Sequence, residues 1–279
     1  MKKTILLIIL SLALFSCEEI IENPSLPYQE QLVIRGVLEA GKPISNIRIT
    51  RTLPPLERYD NAKAIITDAV AYIEYNGMKY SLEYDSQSGF YYNNEIIPLI
   101  GGKYSISVES GNMKAEAATT IPDTVVIESF QLNIVKSEDP YYDDYWDYKV
   151  TANFKPQSES AYTGFAYQNE GEPYSSWVDY AYQISDTLKN GRISYPLLGI
   201  SYYYFSDSTE VIKMINAGNY YCHIVSWDKP FYEFFTTRYE GSSDDEIFGT
   251  SGINIRGNIK GGIGIFIGRS RAVKKVWLE

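Results

Sequence analysis

Cysteine and histidine are nearly missing from this chain of 279 residues: Cys17, Cys222 and His223 are all it has. A single histidine excludes a zinc site built from several. Two cysteines allow at most one disulfide, and none if Cys17 is used otherwise. Basic residues are the minority, 25 Lys and Arg against 35 Asp and Glu, for a formal charge of −10. A surface of that sign repels phosphate backbones, so nucleic acid is not an expected partner, and it gives no electrostatic hold on anionic lipid. Long apolar runs are also missing. Residues 5–15, broken only by Ser11, fall far short of the roughly 20 residues that cross a membrane as a helix. What the chain does have is apolar and aromatic: 44% hydrophobic residues and 26 tyrosines. That is enough to build cores and excludes wholesale disorder. Tyrosine favours strands and also suits sugar- and peptide-binding surfaces. Composition leaves both open.

The short apolar run has a grammar. Lys2 and Lys3 form a basic head, the run follows, and Ser16 is a small residue directly before Cys17. A bacterial secretory signal has this form. A cysteine placed there is the lipoprotein signature, in which the thiol is diacylated and the peptide is then cut in front of it. Residues 1–16 are therefore expected to be a signal peptide and Cys17 the lipid attachment point. Acyl chains at about 0.8 kcal/mol per buried CH₂ hold such a protein stably at a membrane. If Cys17 is acylated, Cys222 is left without a disulfide partner. Glu18 and Glu19 open an acidic, proline-containing tether over residues 17–29.

Beyond the tether the pattern is β. Leu32-Val33-Ile34-Arg35-Gly36-Val37-Leu38 is rich in branched residues, and Ile47-Arg48-Ile49-Thr50-Arg51 alternates apolar and polar, the period of a half-buried strand. Strands are also expected over 69–75, 78–84, 90–91, 103–108 and 113–120. Asn76-Gly77 is a strong hairpin signal. About seven short strands with frequent turns point to an immunoglobulin-like sandwich over 30–122. Residues 123–279 read as a second, larger antiparallel sheet or barrel-like domain. Its expected strands include 125–135, 148–154, 162–168, 177–184, 200–205, 211–215, 220–227, 253–255, 263–267 and 272–278. It carries one helix, in which Phe231, Phe234, Phe235 and Tyr239 share a face. Asp228 caps the start, Pro230 fits the first turn and Gly241 the end. The expected fold class is thus mainly β, with one short helix.

Two stretches carry a family resemblance. One is Leu32-Val33-Ile34-Arg35-Gly36 through Pro43-Ile44, Ile49-Thr50-Arg51, Pro54-Pro55, Gly102-Lys103-Tyr104 and Ile121-Pro122. The other, more specific, is Asn254-Ile255-Arg256-Gly257-Asn258-Ile259-Lys260-Gly261-Gly262-Ile263-Gly264-Ile265-Phe266. Together with the cysteine signal they resemble an uncharacterised family of Bacteroidetes outer-membrane lipoproteins, domain of unknown function 4249. The chain departs from it at Ile267, where a small residue is expected. The resemblance covers nearly the whole chain after Cys17 and brings no catalytic residues with it. It implies a companion of a TonB-dependent outer-membrane transporter. In such lipoproteins an acidic tract after the cysteine resembles a signal for export to the outer face of the outer membrane.

Few residues offer chemistry. Cys222 and His223 are the only thiol–imidazole pair, but neighbours on a strand point to opposite faces, so no catalytic residue is expected. The glycines at 257, 261, 262 and 264 precede a strand and lack the lysine–serine or lysine–threonine pair of a phosphate loop, which rejects a phosphate-loop or dinucleotide fingerprint. Glu138, Asp139, Asp143, Asp144 and Asp147 could supply oxygen ligands to calcium, but their spacing lacks the glycine and ligand order of a calcium loop. No metal and no cofactor are expected. Tyr141, Tyr142, Tyr145 and Trp146 interleave with Asp143, Asp144 and Asp147. Exposed aromatics beside carboxylates suit sugar stacking or a protein interface, so this stretch is the expected ligand or partner loop. The expected function is a non-enzymatic, surface-exposed lipoprotein that captures ligand for, or forms a lid over, a TonB-dependent transporter. The alternatives are a free-standing glycan- or peptide-binding adhesin and, last, a hydrolase using Asp143 and Asp147.

Overall fold

The computed structural model describes residues 27–136, 146–155, 161–168, 192–196, 218–240 and 255–278. The first eight strands are β1 (Leu32–Glu39), β2 (Ile44–Arg51), β3 (Val70–Tyr75), β4 (Met78–Ser81), β5 (Glu83–Asp85), β6 (Phe90–Asn93), β7 (Lys103–Ser110) and β8 (Met113–Thr120). Then come β9 (Ile127–Lys136), β10 (Trp146–Phe154), β11 (Ala161–Gln168), β12 (Arg192–Pro196), β13 (Gly218–Trp227) and β14 (Gly262–Leu278). Two helices interrupt them, the four-residue α1 (Asn61–Ala64) and the twelve-residue α2 (Lys229–Glu240).

Three sheets result, with strand orders β11-β13-β14-β1-β2-β6-β5, β4-β3-β7-β8 and β12-β10-β9. The fold is mainly β, as expected. Among the described residues no sheet closes into a barrel, so of the two forms expected for the C-terminal part it is open sheets that occur.

The seven-stranded and four-stranded sheets face each other across one core. Leu32, Ile34 and Leu38 of β1, Ile47 and Ile49 of β2, Ile73 of β3 and Tyr104 and Ile106 of β7 are all buried in it. Alternation along each strand sends these side chains to one face. The other face of the large sheet is apolar too. Val37 of β1, Val225 and Trp227 of β13, and Ile265 and Ile267 of β14 meet Phe231 and Phe235 of α2 there. The result is three layers: small sheet, large sheet, helix. Ile267, the departure from the resembling family, is fully buried between sheet and helix.

Local signals explain the turns. Asn76 and Gly77 both take positive φ, 51° and 76°, the conformation of a two-residue hairpin turn. The strand expected over 78–84 is two strands in two sheets. β4 ends, the Leu82 N–H donates to Ala71 O at 2.8 Å, and β5 then pairs with β6 in the opposite sheet. Leu82 is buried at that crossing, between the sheets.

The expected sandwich over 30–122 turns out to borrow a strand. β14 lies parallel to β1 from Leu32↔Gly262 to Glu39↔Arg269, and Phe266 fills the sandwich core. A Cβ on Gly36 would lie 2.8 Å from the Phe266 ring, so that glycine makes the room. The two closing strands expected at 263–267 and 272–278 are this single strand, continuous through Gly268. Past Arg269 its other edge pairs antiparallel with β13. Among the remaining expectations, 177–184, 200–205 and 211–215 lie outside the described residues, as do Cys17 and the rest of 1–26. Residues 255–259 are not a strand.

Two outcomes follow. Residues 30–122 expressed alone lack β14 and are expected to give no cooperative unfolding transition by circular dichroism. Phe231→Ala removes a fully buried ring stacked on Trp227 at 4.1 Å and is expected to cost about 3–5 kcal/mol in a denaturant titration. Phe234→Ala, on the half-buried edge of the same helix, is expected to fall well below that.

Candidate functional site

The glycine-rich motif, the most specific signal in the sequence, is architectural. β13 joins the outer edge of β14 only from Arg269 on, among the described residues. Before that point Asn258 takes a strand's place. Its Nδ2 donates to Phe266 O at 2.6 Å and its Oδ1 accepts from Phe266 N–H at 2.8 Å. The same amide donates to Ala118 O of β8 at 3.0 Å. Lys260 and Glu116 exchange backbone bonds beside it, and Arg256 N–H donates to Thr237 Oγ1 of α2. The segment 255–260 thus ties helix, small sheet and β14 together. Such close approach leaves no space for side chains: a Cβ on Gly257 would lie 2.1 Å from Gly264 O, and one on Gly264, at φ +111°, 2.1 Å from Ile34 O. Buried backbone groups need partners, and here the motif supplies them.

Asp228 is the second tie. It ends β13 and caps α2, its Oδ1 accepting from Phe231 N–H at 3.2 Å. Its Oδ2 accepts from Gly268 N–H at 3.1 Å and from the Thr119 hydroxyl of β8. The expected cap is therefore found, with a further role as a three-way junction. Burial pushes its carboxyl up to about 6, against the pull of the Thr119, Gly268 and Phe231 donors.

At the same end of β1 lies a buried ion cluster. Glu39 accepts from Arg269 Nε at 2.8 Å, from Arg271 at 3.0 Å and from Lys42 at 3.0 Å. Burial pushes the Glu39 carboxyl up, but Arg269, Arg271 and Lys42 outweigh it and hold it below its ordinary value. Arg269 also lies over the Trp227 ring, 5.4 Å from its centre.

This cluster supports a displayed loop. The turn after β1 bonds the segment 94–102, Gly41 N–H donating to Pro98 O. Asn93 Oδ1 accepts from Glu95 and Ile96 N–H, Tyr104 Oη accepts from Leu99 N–H, and Gly101 N–H donates to Ile121 O. With its backbone bonded to Gly41, Asn93, Tyr104 and Ile121, the loop turns Ile97, Leu99 and Ile100 about half-exposed to solvent. Neighbouring apolar side chains held outward in this way have the character of an interaction surface. Sequence reading missed it, because a Pro-Leu-Ile-Gly-Gly stretch reads as a turn. Its exposure is visible only in the structure.

The residues singled out from sequence fare differently. Trp146 and Asp147 lie in β10, paired with Lys136 and Val135, and not in a loop. Tyr141, Tyr142, Asp143, Asp144 and Tyr145 lie outside the described residues, as does Cys17. Cys222 and His223 are both buried and, as strand neighbours, point to opposite faces. Burial pushes the Cys222 thiol up to about 12, against a pull from Lys274. A thiol so protonated is a poor nucleophile. Among the described residues no group of three or more His, Cys, Asp or Glu is placed to hold a metal ion, and no helix is long and apolar enough to cross a membrane.

The chain belongs to the family described as Domain of unknown function (DUF4249), whose model matches residues 19–275. That span takes in both faces of the sandwich, the helix and the glycine-rich tie. Comparison with curated proteins finds no match.

Asp228 makes stability depend on pH in a defined direction. Its folded value of about 6 lies above its ordinary 3.8, so between those values the folded state binds the proton more tightly. Stability from this group is therefore greatest in acid and falls as pH rises through about 4 to 6, by up to about 3 kcal/mol. Asp228→Asn is expected to remove that slope from urea titrations taken across the window. Since an amide cannot accept at both positions, it also lowers stability at pH 7 by about 1–3 kcal/mol.

Proposed function

We propose that this chain is a lipoprotein of the outer membrane, facing the cell exterior, that serves a TonB-dependent transporter as a non-enzymatic accessory, by capturing ligand or covering the transporter's mouth. The observation that carries the reading is Ser16-Cys17-Glu18-Glu19 at the end of a short apolar run behind Lys2 and Lys3. The polarity of the fold supports it. The chain enters at Tyr28, whose hydroxyl donates to Thr52 O, just past β2 and beside the start of β1. The rigid loop with Ile97, Leu99 and Ile100 sits at the other end of that strand. Eight residues of strand separate the two by about 25 Å. A tethered module thus presents an apolar, preformed surface away from its tether, and interfaces are built around such surfaces. A surface adhesin for glycan or peptide is the second reading, favoured by the aromatic and acidic residues Tyr141 to Asp147.

Cys17→Ala is expected to move the protein from the membrane to the soluble fraction and to abolish labelling by a fatty-acid analogue. Ile97→Ser combined with Leu99→Ser is expected to leave the melting temperature nearly unchanged while losing a barrel partner on affinity purification. Retention of both the membrane signal in the first variant and the partner in the second would overturn the reading.

A further inference from the structure

We propose that loop 53–60, together with Tyr28, lies on the lipid surface to which the chain is tethered, and that it fixes the orientation of the sandwich on that surface. The inference rests on the Cys17 anchor reading above. Pro54, Pro55, Leu56 and Tyr59 are exposed, Leu56 by 62% and Tyr59 by 67%. Tyr28 adjoins them through its hydroxyl, which donates to Thr52 O. The loop is not slack. Glu57 N–H donates to Pro54 O at 3.0 Å, Lys63 pairs with Glu57, and Asp60 accepts from Ala62 N–H at 2.8 Å. Glu57, Asp60 and Lys63 are engaged in these contacts, and beside Arg58 what lies outward is a leucine, two prolines and two tyrosines.

Two observations decide what covers this patch. The first is the tether. Nine residues separate Cys17 from Pro27, and the ten steps between them reach at most about 35 Å. They enter the fold at Tyr28, beside this loop, so an acylated Cys17 brings this end of the sandwich to the bilayer first. The apolar loop at 97–100 lies about 25 Å further along β1. The second is charge. The whole chain is acidic, which anionic headgroups repel, but here Arg58 and Lys63 balance Glu57 and Asp60, so the loop is locally neutral. Tyrosine, apolar in body and polar at its tip, suits the headgroup level. Contacts this few orient a protein that acyl chains already hold; they do not anchor it.

The test uses the full lipidated chain in vesicles of phosphatidylethanolamine with phosphatidylglycerol. A nitroxide is placed at Leu56→Cys, at Tyr59→Cys or at Ile100→Cys, one at a time; Cys222 is buried and Cys17 acylated, so the label goes to the introduced thiol. Collision with oxygen, which concentrates in lipid, is compared with collision with a water-soluble nickel chelate. The expected result is an oxygen-to-nickel ratio several-fold higher at positions 56 and 59 than at position 100. Equal, water-like ratios at all three in protein that sediments with vesicles would overturn the inference and leave the anchor standing. Protein that does not sediment with vesicles would overturn the anchor and this inference together. Shielding at position 56 that arises only when a barrel protein is added would replace lipid by a protein contact.

Discussion

Two segments from opposite ends of the chain, Leu32–Glu39 and residues 262–269, run side by side in parallel, and nearly everything else is arranged around that contact. The closure cost of so long a loop grows only with the logarithm of its length, so the contact is thermodynamically tolerable. It is slow to find, because both strands have to meet across the whole intervening chain. Its register is fixed by two features of opposite kind. Phe266 needs the space that Gly36 leaves, and Gly264 needs to pass where Ile34 O would strike any side chain. A slip by one residue would also send Phe266 to the helix face and Ile265 and Ile267 into the sandwich. The strand thus serves two cores at once, and neither the sandwich nor the helix layer is complete without it.

Two buried carboxylates at one end of this strand pair show how environment decides protonation. Glu39 and Asp228 are both largely shut off from water. Glu39 faces two guanidiniums and an ammonium, and their attraction exceeds the desolvation penalty, so it stays ionised. Among the described residues Asp228 faces neutral donors, the Thr119 hydroxyl and the Gly268 and Phe231 amides, and burial raises its carboxyl to about 6. Both choices stiffen the same region. The Glu39 cluster fixes the turn that carries segment 94–102, and Asp228 fixes the helix start against β8 and β14.

The parts of this fold that are written locally could be read from the sequence. Alternation in β1 and β2, the Asn76-Gly77 turn and the helix with its Asp228 cap all depend on residues within a few positions of one another. What could not be read depends on distant partners. Nothing near residues 262–278 indicates that they pair with residues 32–39, so the boundary placed near 122 cut through a sheet. Gly268 looks like a break between two strands. In the fold its N–H bonds Asp228, forty positions away, and the strand continues. The half-exposure of Phe234 against the burial of Phe231 and Phe235 was beyond a helical wheel, because the wheel assigns a stripe without saying how wide the facing surface is.

The same distinction bears on function. The chain's most specific motif, with Asn258 and the glycines from 257 to 264, is consumed in satisfying an otherwise open strand edge and in letting backbones touch. It lies within the span the family model matches and says nothing about a ligand, since a fold carries function only through the sites on it. Recognition therefore has to be sought where side chains are held outward without a structural reason. Segment 94–102 and loop 53–60 are two such places among the described residues. Each is tied by backbone bonds, segment 94–102 to Gly41 and Ile121 and loop 53–60 through Glu57 N–H to Pro54 O, and none of these bonds needs the apolar side chains exposed. They lie at opposite ends of β1, one beside the point where the tether enters. A module with an outward apolar surface at each end is suited to standing between two others, and the proposed anchor at Cys17 would give the bilayer one of those two roles.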